Sequence, residues 1–159
     1  AAAVGEWWLT HPSTISPYGS SVSTSVAAGQ VIHLDSGITT FQGSELHRSS
    51  ARIGLQSVTP RVTENTAYAD ITIQLCRRNS RSVGVGAVTD PLAGFCTSLV
   101  PVAGASAVLS PNAGGDQIVV SIRPTRDGQV VIEGFDIRYT DGVRRGGGHA
   151  GLELRIATP

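Results

Sequence analysis

Hydrophobic residues in this chain recur with a period of two, in short runs that end in glycine, serine, proline or Asp-Gly pairs. That period alternates side chains between the two faces of a strand, so it admits β-structure and argues against long amphipathic helices. The clearest run is 68–76, with Ala69, Ile71, Ile73 and Leu75 on one parity and Tyr68, Asp70, Thr72, Gln74 and Cys76 on the other. The runs 117–123 and 129–139 are as regular, and 124–128 between them, closing on Asp127-Gly128, reads as a hairpin loop. Residues 51–58 alternate through Ile53 and Leu55, shift at Val58, and meet Pro60, where the strand ends or bends because proline cannot donate to a ladder. Turn signals recur roughly every 8–12 residues, giving about nine strands. The core-facing set is expected to include Ile71, Ile73, Leu75, Val120, Ile122, Val131 and Phe135, with a bulge at Gly134 able to switch parity along 129–139.

The chain has two cysteines, Cys76 and Cys96. Their loop-like spacing predicts one disulfide, and a disulfide points to an oxidising compartment. Cys76 takes the parity opposite to Leu75, so the bridge is expected to clamp a loop at a strand end rather than pin two sheets through the core. A length of 159 residues suits one domain. We divide it into an N-terminal segment, 1–25, rich in Ser, Thr and Pro with an edge strand beginning near Val22, and a β-domain, 26–159. Trp7 and Trp8 follow an Ala-rich start and are read as marking a removed signal or a membrane anchor upstream of Ala1. No internal run approaches the roughly 18 apolar residues that span a bilayer. The expected fold is thus all-β, an antiparallel β-sandwich of Ig-like or jelly-roll-like type with one disulfide. The expected location is extracellular or cell-surface. In texture the chain resembles Ig-like ectodomains of exported or membrane-anchored bacterial proteins, a likeness that implies architecture and leaves function open.

Charge narrows the function. The net charge is zero and all twelve basic residues are arginine. Without a run of cations along one face, counterion release cannot drive nucleic-acid binding, and none is expected. Arginine's planar fork nevertheless suits carboxylate or phosphate. The stretch 141–149 places Arg144, Arg145 and His149 around three glycines and reads as a flexible ligand-gripping loop. Arg77, Arg78 and Arg81 form a second basic cluster, and the two would make one anion-binding rim if they share an end of the sandwich. His33 and Asp35 would project from one strand face with His47 a loop away, a candidate zinc or copper set. No other cofactor is implied.

Catalytic signatures are sparse. There is no Gly-x-Ser-x-Gly elbow, and the one tempting carboxylate pair, Glu133 and Asp136, falls on opposite parities and is expected to face opposite sides. Aromatics are few and both tryptophans sit at one end, which leaves little for a sugar-stacking platform. The sequence therefore reads as a non-enzymatic interaction or structural domain with a protein or glycan partner. The alternative is a ligand-binding module for carbohydrate or a small anion.

Overall fold

The computed structural model describes residues 18–39, 52–78, 84–109 and 115–159. Ten strands form two five-stranded sheets that face each other across one apolar layer. The long sheet runs β1 (Ser21–Ser25), β10 (Arg144–Ala157), β9 (Gln129–Asp141), β3 (Arg52–Asn65) and β7 (Ser106–Val108). The short sheet runs β5 (Ala87–Val88), β2 (Ile32–Asp35), β8 (Gln117–Arg123), β4 (Asp70–Arg77) and β6 (Ser98–Pro101). Every pairing is antiparallel except that of β1, an edge strand lying parallel to β10.

The core follows the period-two pattern. Leu34, Leu75, Ile118, Val120 and Ile122 from the short sheet meet Ile53, Leu55, Ile132, Phe135, Ile137, Leu154 and Ile156 from the long one. Full burial of each such side chain contributes on the order of 1.5–3 kcal/mol. Ile71 and Ile73 lie against the same cluster, partly buried. Val131 does not. It is buried, yet the core-facing residues before Gly134 are Val130 and Ile132, while those after it are Phe135, Ile137 and Tyr139. The parity switch sits at Gly134, where β9 places one residue against Gly151 and Leu152 of β10. Gly134 and Gly151 have φ of +74° and +89°, the left-handed region in which a side chain is strained.

The same bulge corrects the reading of Glu133 and Asp136. Val131 and Glu133 point away from the core before the switch, and Asp136 and Arg138 point away after it, so both carboxylates share the outer face. A second correction concerns 124–128. β8 and β9 belong to different sheets, so the segment crosses between sheets and is not a hairpin loop. Its backbone is held by the β3–β4 crossover, with the N–H groups of Thr125 and Arg126 both donating to the Ala67 carbonyl. Arg126 lies 3.6 Å over the Tyr68 ring at the same end. The true Asp-Gly hairpin is the β9–β10 connection at Asp141-Gly142.

Third, 144–149 is no loop. It is the start of β10, paired residue for residue with β9 from Arg144↔Asp141 to His149↔Asp136. Glycine-rich sequence weakens a strand, but a neighbouring strand supplies its hydrogen bonds, and here that outweighs backbone entropy. β3 shifts register once between Leu55 and Ser57, bends over Pro60 and continues to Asn65 through two further register shifts. Pro60 is tolerated because beyond Gly54 β3 has β9 on one side and no described strand on the other.

Candidate functional site

The two outer faces differ. On the short sheet, Cys76 is fully buried although it points away from the core, because residues 84–97 fold across that face. Cys76 and Cys96 are bonded, with Cα atoms 5.3 Å apart. With Val85, Leu92 and Val119 they form a second small apolar cluster, edged by Val88 and Phe95. Gln117 stitches the loop down like an added strand: its Oε1 accepts from Val85 N–H at 2.9 Å and its Nε2 donates to the Val85 carbonyl at 2.6 Å. The expected loop clamp is present, and the outward face beneath it is sealed.

Beside this loop lies a small cavity of about 180 Å³ lined in part by Asp35, Arg78 and Gln117. Burial raises the Asp35 carboxyl above the usual aspartate range, against the opposing pull of the Gly37 N–H, the Gln117 amide and the Arg78 guanidinium. His33 shares the outer face of β2 with Asp35 and bonds the Ser121 hydroxyl through Nδ1 at 2.6 Å, and desolvation lowers its pKa. His47, the third member of the candidate metal set, lies outside the described residues, as do Trp7, Trp8, Phe41 and Arg81. Among the described residues no three His, Cys, Asp or Glu side chains converge on a metal position.

The outer face of the long sheet carries no such cover among the described residues. Its middle is an open groove of about 680 Å³ with Ser57, Thr59, Arg61, Asp136, Arg138 and His149 along it and Gly147 and Gly148 in the floor. Pairing explains the assembly. Ser57, Arg138 and Gly147 form one cross-strand row, and Thr59, Asp136 and His149 form the next. Directly opposed residues share a face, so alternation delivers all six to the same side.

Arg61 grips Asp136 through both oxygens, at 2.6 and 3.4 Å, with both side chains about half exposed. Its Nη1 also reaches His149 Nδ1 at 3.4 Å. The other ring nitrogen of His149 bonds the Glu133 carbonyl. A carbonyl only accepts and a guanidinium only donates, so the two contacts are satisfied together when Nε2 donates and Nδ1 accepts. Tyr18 stacks on this ring, with centroids 4.4 Å apart and planes 11° from parallel, and its backbone N–H donates to the His149 carbonyl. Partial desolvation and the Glu153 and Glu133 carboxylates raise the Tyr18 pKa, Arg155 opposing them.

Of the candidate gripping residues, His149 thus lies in the groove. Arg145 lies on the same face, opposite Thr140, and Arg144 is on the other parity and ion-paired with Asp141. Arg77 and Arg78 of the second basic cluster do share the hairpin end of the sandwich, but they are engaged internally: Arg77 bonds Asp116 and the Ser106 carbonyl, and buried Arg78 bonds the Gly115 carbonyl. No common rim with Arg144 forms from them. Sequence reading missed Tyr18, Ser57, Thr59, Arg61, Asp136 and Arg138 as one constellation. The available signal was the alternation of polar residues at 57, 59 and 61 and at 136 and 138, once parity is reset at Gly134.

No protein-family model, curated protein or solved structure matches the chain. The fold and site define a disulfide-bonded two-sheet β-domain with one outer face sealed by its loop and the other open among the described residues.

Proposed function

We propose that this chain is an extracytoplasmic, non-enzymatic interaction domain that meets its partner through the open outer face of the β10–β9–β3 region. The observation that carries the reading is the contrast between faces: one is closed by a disulfide-clamped loop, whereas the other presents a polar groove on rigid strands. Binding groups held on strands are positioned better than groups on loops. The disulfide is compatible with an extracellular site of action. A second reading, a ligand-binding module for carbohydrate or a small anion, is favoured by the hydroxyls of Ser57 and Thr59 beside Arg138.

A glycan array combined with a thermal-shift ligand screen tests both, using the wild type, Arg138→Glu with Arg145→Glu, and Asp90→Ala on the covered side as control. Ligands lost in the charge-reversed variant and retained in the control support the open face. Ligands retained in both variants would move the function elsewhere on the molecule.

A further inference from the structure

We infer that the groove selects an acidic oligosaccharide, its carboxylate held between Arg138 and Arg145 and its hydroxyls by Ser57, Thr59 and the Arg61–Asp136 pair. This rests on the open face being the binding face. Arg138 and Arg145 are exposed, and neither makes a side-chain hydrogen bond or ion pair among the described residues, unlike Arg61, Arg77, Arg123, Arg144 and Arg155, each paired with a carboxylate. They are diagonal neighbours across β9 and β10, since Arg138 opposes Gly147 and Arg145 opposes Thr140. Diagonal positions lie about 7–8 Å apart on a sheet, within reach of two long side chains closing on one anion. Beside them Gly147 contributes no side chain to the groove floor. A ligand can therefore approach the backbone there.

The rest of the face argues for sugar over a polyanion or a peptide. Asp136, Glu133 and Glu153 lie among the arginines of the same face, so charge alternates in sign along it and cannot track successive phosphates. Among the groove's lining side chains the polar groups dominate, and the Arg61–Asp136 pair offers donors and acceptors at fixed positions, which suits vicinal hydroxyls. Docking of an acidic peptide would draw on apolar pockets, which this polar groove lacks among the described residues, and a strand added to the edge of β3 that no described strand pairs beyond Gly54 would lie beside the groove rather than in it. A volume of about 680 Å³ falls in the range of small-ligand sites and admits a short oligosaccharide.

The test is a titration followed by backbone amide NMR, with three probes: a galacturonate trisaccharide, its fully methyl-esterified form, and a triglutamate peptide. The expected result is that the acidic sugar shifts the amides of Ser57, Thr59, Arg138, Gly147 and His149, while the ester and the peptide bind more weakly. Arg138→Gln with Arg145→Gln, both exposed, should weaken the acidic sugar at least roughly tenfold, the loss expected for charged hydrogen bonds, with melting temperature unchanged. If the neutral ester shifts the same amides equally, the acidic inference falls and the open-face reading stands. If the peptide binds as well as the sugar, the saccharide class is wrong. Shifts confined to other surfaces, or none with any probe, overturn the inference, and shifts elsewhere count against the open face as well.

Discussion

The sealed face of the short sheet and the open face of the long sheet use the same alternation to opposite ends. On β4 and β8, outward positions carry Cys76 and Val119, and a covering loop turns them into a second small core. On β9 and β10, outward positions carry Asp136, Arg138, Arg145 and His149, and what holds them is cross-strand pairing with one stacked tyrosine. The sealed face is stabilised by apolar burial and a covalent bond, neither of which is weakened by ionic screening. The open face is ordered by exposed ion pairs worth about 0–1 kcal/mol each. Its rigidity must come from the core beneath. The difference teaches that stability and recognition are assigned to different sheets, so they should be separable by substitution.

The largest expected effect is on the sealed side. Replacing Cys76 and Cys96 together by alanine opens a loop with a sequence separation of 20 residues. The loss is about 3 kcal/mol on the chain-entropy view. Denaturant melts measure it, and hydrogen exchange should show the amides of 84–97 losing protection while those of β9 and β10 keep theirs in the native state. Equal loss on both faces would break the separation.

A smaller effect tests the open side. A methyl at Gly134 would lie 2.5 Å from His149 Nε2 and 2.6 Å from Tyr18 Cδ2, at a φ that disfavours any side chain. Gly134→Ala should lower stability by about 1–3 kcal/mol. It should also displace the Tyr18 ring, which the aromatic NMR shifts of Tyr18 and His149 report. A full stability loss with both rings unmoved would mean that the bulge supports the core and has no part in shaping the groove.

The period-two pattern made the class of fold readable, down to the disulfide and the parity switch at Gly134, because alternation and glycine are local signals. What it hid were decisions made between sheets. The segment 124–128 has a composition that serves a hairpin or a crossover equally, and only the partners of β8 and β9 decide. The Arg-Gly run at 144–149 has the local chemistry of a loop, but pairing with the strongly β-forming 136–141 extends it as strand. The groove was hidden for the same reason. Thr59, Asp136 and His149 are distant in sequence and become one row through register, which no single segment encodes.

The smallest effect sharpens the comparison on the sealed side, at Asp35. Burial raises its carboxyl above the ordinary aspartate value of about 4. A folded-state pKa above the unfolded one means that the native protein holds the proton longer. The group's contribution to stability is therefore complete below the ordinary value and is lost as pH rises through the raised one. Asparagine at this position keeps an oxygen for the Gly37 N–H, which donates to Asp35 Oδ1 at 3.0 Å, and it cannot ionise. The stability of the wild type relative to Asp35→Asn should accordingly fall as pH rises above the ordinary aspartate value, read from paired thermal melts. His33, also perturbed, is common to both proteins and cancels in the difference. The slope should be shallow, because Gly37, Gln117 and Arg78 all favour the charged carboxylate. A difference that instead grows with pH would show those three partners outweighing desolvation. The sealed face would then hold a stabilising buried carboxylate, and the division between an apolar side and an electrostatic side would no longer hold.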